Sequence, residues 1–340
     1  MKDMFEETIE RVLTDLVTPE LIGAAEDGTW PETVWQAVED NGLAIAAAPE
    51  TSGGVGGSWH DAFVLARATG RHAVPAPLAE TLLVNWLLGL AGLETAQGPA
   101  TLGAAVGRFE NDRFSGTLAD VPWGRRADHV LTISDGDAPR LMLLACGQAT
   151  IAEALNTARE PRDTLTFDKV APLFTAPLRA HLSLDTLLLG GAMIRSAQIA
   201  GGLSRLLETA TDYTNQRTQF GRAIGKFQAI QHQLALLAEQ TAIACAAAEL
   251  AFAASEDGPD PLTIAAAKTV ASDAAGQGAT IAHAVLGAIG FTYEHSLHFT
   301  TRRLWSWRSE FGGQAFWAQR IGSTLCRGGS ARLWPTLISS

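Results

Sequence analysis

Cysteine is scarce in this chain: Cys146, Cys245 and Cys326 are the only three in 340 residues, far apart and without CxxC spacing. That excludes a disulfide framework and a cysteine-ligated metal, and leaves buried free thiols in a reducing compartment as the expectation. Basic charge is short too. With 25 Lys and Arg against 36 Asp and Glu, the formal net charge is -11, which argues against non-specific nucleic-acid binding, since that needs a concentrated positive surface. A local basic pocket for an anionic ligand is still allowed. The first residues, Met1-Lys-Asp-Met-Phe-Glu-Glu, are acidic and lack the apolar segment of a secretory signal. No apolar run reaches the roughly 18 residues of a membrane span, so a cytoplasmic protein without membrane contact is expected. There is no Gly-x-Ser-x-Gly elbow and no Cys-His pairing. What is present is 47% hydrophobic and 18% charged residues, an ordinary globular composition with enough chain for a large core.

Residues 1–97 read as helices separated by loops. Val34, Trp35 and Val38 have helical spacing, and their pattern stops at Asn41-Gly42. The stretch from Pro49 to Gly57 is glycine-rich, but no Lys-Ser/Thr follows and no clear strand precedes it. It reads as a connecting loop, not a phosphate cradle. An amphipathic helix resumes over 61–69. From 98 to 180 the character changes to short apolar segments, 128–133, 140–145 and 163–168, set between Gly, Asp and Pro, which predicts a small, mostly antiparallel β domain. From 181 to 340 the pattern is helical again. Long helices are expected over 184–215, 229–255 and 263–285, the last started by Asp260-Pro-Leu-Thr. Their alanine content favours helix and permits close packing into a four-helix bundle.

Between the first two of these helices lies Gln216-Arg-Thr-Gln-Phe-Gly-Arg-Ala-Ile-Gly-Lys-Phe-Gln228. On its residues alone this is either a helix–helix turn with solvated arginines or a site where Arg217 grips an anion and Phe220 offers a flat face. The stretch resembles the signature of the acyl-CoA dehydrogenase family. In the same order follow Gly290-Phe291-Thr292-x-Glu294 and Arg302, while Gly116, Trp123 and Ala127-Asp128 look like remnants of that family's middle domain. The resemblance implies a mainly α chain with a small β domain: an N-terminal helical domain, a reduced middle β domain and a C-terminal four-helix bundle. It also implies FAD, an acyl-CoA substrate and an electron-transfer-flavoprotein-type acceptor. In that family the matching Arg and Phe reach across a subunit interface to the FAD of a neighbour. The cofactor-binding residues carried over are therefore Arg217, Phe220, Gln228, Gly287 and Gly290.

The sequence departs from the family where the chemistry should be. The family's base is a Glu shortly after its Arg in the last helical segment, and that position is Phe311. Some members place the Glu on the long helix before the signature instead, and that position is Gly191. Glu310, one residue from the first position, is the only candidate base; otherwise it is a solvated loop carboxylate near Arg308. No Thr-Glu-x-x-x-Gly-Ser-Asp loop for the flavin appears between Gly92 and Gly116, nor a Lys-x-x-Ile-Thr strand. His295 and His298 share a helical face without a third metal ligand, and His232 and His283 sit alone on apolar patterns. Trp305, Trp307 and Trp317 read as packing or interface residues. The combination resembles the short subunit of a heteromeric, α2β2, dehydrogenase acting on steroid side chains. Such a subunit lends residues to the FAD of a homologous catalytic partner and carries no base of its own. The alternatives are a homomeric dehydrogenase using Glu310 and a structural or regulatory protein on the same fold.

Overall fold

The computed structural model describes residues 1–135, 138–179, 181–329 and 334–335. The end of the expected C-terminal segment, 336–340, lies outside them. Five helices come first: α1 (Lys2–Leu16), α2 (Pro19–Glu26), α3 (Glu32–Asp40), α4 (Trp59–Arg71) and α5 (Leu78–Ala91). Their starts follow from local chemistry. Thr18 accepts a bond from the Leu21 amide with Pro19 at the first helical position, and Ser58 and Asp61 cap α4 reciprocally. α3 buries Val34, Trp35 and Val38, the residues whose spacing predicts it. The glycine-rich connection folds back on itself. A Cβ on Gly54 or Gly57 would meet the carbonyl oxygens of Ala48 and Ala46 at 2.1 and 2.7 Å, so these glycines serve close backbone packing.

Eight strands follow: β1 (Ala100–Leu102), β2 (Ala105–Glu110), β3 (Arg113–Pro122), β4 (His129–Ile133), β5 (Arg140–Ala145), β6 (Thr150–Ala152), β7 (Arg162–Val170) and β8 (Phe174–Pro177). They make two four-stranded sheets, ordered β1-β4-β5-β8 and β2-β3-β7-β6. Every pairing is antiparallel except β1 with β4. Side-chain alternation divides β4 and β5 between two cores. Val130, Met142 and Leu144 meet Leu118, Leu165 and Phe167 in one core, while Leu131, Leu141 and Leu143 join the main core shared with the helices. Burial on both faces is why these strands read as continuous apolar runs.

The last part holds α6 (Thr186–Gln216), a hairpin of β9 (Thr218–Gln219) and β10 (Arg222–Ala223), then α7 (Gln228–Ala253), α8 (Pro261–Leu286), α9 (Leu297–Trp307) and α10 (Gln314–Gly328). α6, α7 and α8 pack against one another, α10 lies on α8, and α9 lies against α6 and α8. Asp260 accepts from the Thr263 amide at 2.8 Å with Pro261 leading, so α8 starts earlier than the apolar pattern suggests. By length and composition alone α7 and α8 could each cross a membrane, although polar residues interrupt their apolar runs. Of the cysteines only Cys146 is buried, where desolvation pushes its thiol up to about 12. Cys326 is exposed on α10, which corrects the expectation of three buried thiols.

α4 and α6 cross backbone to backbone. A Cβ on Gly70 would sit 1.9 Å from the Gln198 carbonyl oxygen, and one on Gly201 would sit 1.9 Å from that of Arg67. The crossing fixes where α6 presents Gly191. Gly201→Val should therefore force the helices apart and cost about 3 kcal/mol. Urea unfolding checks this, and Gly23→Val, where a Cβ meets nothing within 4 Å, is the control.

Candidate functional site

β9 and β10 pair Gln219 with Arg222 and Thr218 with Ala223, leaving Phe220-Gly221 as a two-residue turn. Both turn residues have positive φ, 51° and 77°, the combination of a type I′ hairpin. Phe220 is 91% exposed at the tip. The hairpin is braced from within. The Arg222 guanidinium lies 4.2 Å from the Phe227 ring centre, with Phe220 edge-on to the same ring at 6.1 Å. The Ile224 amide donates to the Arg217 carbonyl at 2.8 Å, and Gln231 donates to the Gly225 carbonyl at 3.1 Å.

Behind the hairpin is a cleft of about 600 Å³ whose lining includes Tyr213, Arg217, Phe220, Phe227, Gly287 and Ala288. Arg217 is exposed and joins none of the ion pairs among the described residues. The N-terminus of α7 beside it has no side-chain cap, so its first amides and the guanidinium favour an anion. The aromatic rings offer faces for a planar group. This donor set fits a dinucleotide such as FAD. Of the residues proposed from sequence, the cleft gathers Arg217, Phe220 and Gly287. Gly287 has φ +65° and nothing within 4 Å of an added Cβ, so backbone conformation explains its lack of a side chain. Gln228 is exposed at the start of α7, outside the cleft lining. Gly290 is buried, and a Cβ there would lie 3.1 Å from Leu297 and 3.4 Å from His283, so it makes room for packing. Tyr213, one helical turn before Arg217 and legible in the sequence by that spacing, also lines the cleft.

The two base positions meet each other. A Cβ on Gly191 would lie 2.3 to 2.5 Å from three atoms of the Phe311 ring. The ring therefore rests against the bare backbone of α6, and each residue fills the place the other would need for a carboxylate. Phe311 itself has φ +52°, a conformation held by its neighbours. Arg195 stands 5.6 Å from the ring centre.

Glu310 is not the solvated loop carboxylate that the sequence suggests. Arg162 donates to both of its oxygens at 2.9 Å, Arg195 Nε at 2.8 Å and Asn156 at 3.0 Å. Burial alone would raise its pKa, but the two guanidinium groups and their bonds hold it down at about 2. A carboxylate so held is a poor base. Arg308, its supposed neighbour, instead lies 4.9 Å from the Trp305 ring centre. Close by, the buried Lys268 ammonium donates to the Trp307 and Arg308 carbonyls and to Ser272. Desolvation pushes it down to about 7. Trp307 and Trp317 are core residues, while Trp305 is 46% exposed.

The cleft beside Phe311, about 610 Å³, lies between the β domain and the end of α9, with Gly103, Asp120 and Trp305 in its lining. Its β1–β2 edge offers no loop to hold a flavin head. Only Gly103 and Ala104 connect β1 to β2, and the nearby Thr101 hydroxyl is committed to the Pro122 carbonyl at 2.5 Å. Among the described residues no group of three His, Cys, Asp or Glu could hold a metal ion. His283 packs against Phe291 and bonds Thr301, and His295 accepts from the Leu297 amide.

A helical front, a two-sheet β domain and a helical bundle carrying an exposed Arg–Phe hairpin together define an acyl-CoA dehydrogenase fold. The chain belongs to the acyl-CoA dehydrogenase family. The family's N-terminal domain matches residues 1–97 and its C-terminal domain residues 183–312. Acyl-CoA dehydrogenase IpdE2 of Mycobacterium tuberculosis is 30% identical over 308 residues, 89% of this chain and 90% of that one. A variant of the Tcur3481-Tcur3483 steroid ACAD superposes with a TM-score of 0.85 at 26% identity, covering 97% and 98% of the two chains. A chain of the ChsE4-ChsE5 complex from Mycobacterium tuberculosis gives 0.81 at 20% identity, covering 96% and 97%, which speaks for the fold alone.

The stabilisation from Glu310 should be complete above the ordinary carboxylate pKa near 4.5 and fade as pH falls toward 2. Glu310→Gln should cost about 3 kcal/mol at pH 7 and flatten the loss of stability between pH 5 and pH 3. Denaturant unfolding across that range checks both.

Proposed function

We propose that this chain is the non-catalytic subunit of a heteromeric, FAD-dependent acyl-CoA dehydrogenase. The complex would desaturate the α,β bond of a bulky acyl-CoA thioester of the steroid or bile-acid side-chain kind and pass electrons to an electron-transfer-flavoprotein-type acceptor. The observation that carries the reading is the contrast between its two clefts. The hairpin cleft keeps an unpaired guanidinium and exposed aromatics, while both positions that could hold a base are consumed by the contact of Phe311 with Gly191.

FAD, when bound, supplies the hydride acceptor. The residues of this chain bind and orient it. Arg217 grips phosphate oxygens in a fork geometry that lysine cannot match. Phe220 covers a flat face and excludes water. Tyr213 and Phe227 form apolar walls, and Gly287 lets the backbone turn beside the ligand. Proton abstraction falls to a homologous partner with a carboxylate at its own base position, because Glu310 is locked between Arg162 and Arg195. The name of the Tcur3481-Tcur3483 steroid ACAD supports the substrate class and the heteromer.

Arg217→Ala in the co-purified complex should weaken FAD retention 10- to 100-fold, the loss of a charge-assisted contact worth about 1.5–3 kcal/mol. The complex should stay assembled, and flavin absorbance after gel filtration reads the loss. Full retention would contradict the donor role. Phe311→Glu in the isolated chain should restore no acyl-CoA oxidation, because the flavin loop is missing as well; turnover by that variant alone would contradict the reading.

A further inference from the structure

A third cleft, of about 530 Å³, lies where the α2–α3 connection meets the β domain. It shares Leu155 with the cleft beside Phe311 and no lining residue with the hairpin cleft. Its lining includes Trp30, Pro75 and Pro161 together with Trp123, Arg126 and Arg159. The volume is that of a small-molecule site, and apolar rings with a few polar groups among them are what such sites present. Trp123 supplies one of those polar groups. It is 7% exposed, yet its indole N–H has no protein acceptor among the described residues and is not sealed from solvent. Buried indole N–H groups usually find a partner. The backbone beneath the ring is fixed. Its φ is +59°, uncommon for a bulky residue, its amide donates to the Pro161 carbonyl at 3.0 Å, and its carbonyl accepts from the Ala127 amide at 2.9 Å.

The charges select the class of ligand. Arg125 also lines the cleft, but its guanidinium is spent on Glu153, on both Asp163 oxygens at 3.0 Å and on the Ala154 carbonyl at 2.8 Å. Arg126 is different. It joins none of the ion pairs among the described residues, and its side chain makes one hydrogen bond, to the Gly28 carbonyl. A guanidinium has five N–H donors, so most of this fork is unused. Arg159 meets Asp27 at 3.4 Å with both side chains more than half exposed, a pair that water weakens. Glu26 and Glu153, the remaining acids of the lining, are taken by Arg302 and Arg303 and by Arg125. Three arginines and three acids leave the lining neutral as a whole. A phosphate dianion would share it with Asp27 and Glu153, whereas a single carboxylate is matched by the spare fork of Arg126 and the Trp123 N–H. The tryptophan faces and the prolines, which bring no N–H, suit a flat apolar ring.

We propose that this cleft binds a ring-bearing monocarboxylate, its carboxyl on Arg126 and the Trp123 N–H and its ring against Trp30. Arg126 and Trp123 belong to the turn after β3 and Trp30 to the α2–α3 connection, so the bound acid clasps the β domain to the N-terminal helices. It does so beside Glu26, which is itself paired with Arg302 and Arg303 of α9. The site stands whether or not the chain lends residues to a flavin.

Isothermal titration calorimetry of the full chain with 2-naphthoate tests this. One naphthoate should bind per chain, with a Kd below about 1 mM. Arg126→Gln should weaken binding about 10- to 100-fold, the loss of a charge-assisted contact, and Trp123→Phe about 5-fold. Arg126 is half-buried on a turn, so its variant carries the test if the tryptophan variant fails to fold. 2-Naphthamide, which keeps the ring and loses the charge, should bind at least about 10-fold more weakly. Inorganic phosphate at equal concentration should not displace the acid, and Arg217→Ala should leave its binding unchanged. No binding tighter than about 1 mM, binding that survives Arg126→Gln, an amide that binds as well as the acid, or displacement by phosphate would overturn the proposal. So would lost binding in Arg217→Ala, which would put the acid in the hairpin cleft.

Discussion

A single line of alternating charge ties the three parts of this molecule together. Arg302 meets Glu26 at 2.6 Å, Glu26 meets Arg303 at 3.3 Å, and Arg303 meets Glu160 at 3.1 Å. Glu160 meets Arg162 at 2.9 Å, and Arg162 meets Glu310 at 2.9 Å. Glu310 meets Arg195, and Arg195 meets Glu80, both at 2.8 Å. The Arg195–Glu80 and Arg303–Glu160 contacts are ion pairs without hydrogen-bond alignment. Four positive and four negative groups from α2, α5, the β domain, α6, α9 and the turn before α10 thus neutralise each other, six of the side chains buried and those of Arg302 and Glu310 half-buried. Such a line is weak evidence for net stability, because desolvation offsets most of the attraction. Its effect is on geometry. Moving Glu310 would leave four guanidinium groups facing three carboxylates, so the line holds the turn bearing Glu310 and Phe311 in place.

That position explains the division between the two clefts. With Glu310 anchored to Arg162 and Arg195, the next residue is delivered onto Gly191 and its ring rests on the bare backbone of α6. The Lys268 ammonium fixes the same turn from the other side through the Trp307 and Arg308 carbonyls. The hairpin is rigid for a different reason. Its type I′ turn and the Arg222–Phe227 stack brace it internally, so it needs no charge from the core and leaves Arg217 outside every ion pair among the described residues. One cleft is bounded by long-range contacts, and the other by local ones.

The same distinction governs what the sequence reveals. Local signals were legible: the Val34–Trp35–Val38 face, the Asp260–Pro261 start, the strands β4, β5 and β7, and the Arg217–Phe220 stretch. The remaining strands carry a weaker signal, being either very short, like β1 and β6, or half exposed, like β2. The burial of Glu310 was invisible because Asn156, Arg162 and Arg195 come from separate segments and only the fold brings them to one carboxylate. The Phe311–Gly191 contact is hidden likewise, although the sequence shows that neither position holds a carboxylate. Gly287 and Gly290 look alike in sequence, yet one turns the backbone beside the cleft and the other makes room for Leu297 and His283.

The central claim is that this chain completes a flavin site in a partner and holds none of its own. Flavin content of the complex co-purified with a homologous dehydrogenase subunit, set against the protomer count from native mass, tests it most directly. The account predicts one FAD for every two protomers and a colourless isolated chain. One FAD per protomer, or a yellow isolated chain that oxidises an acyl-CoA, would contradict it.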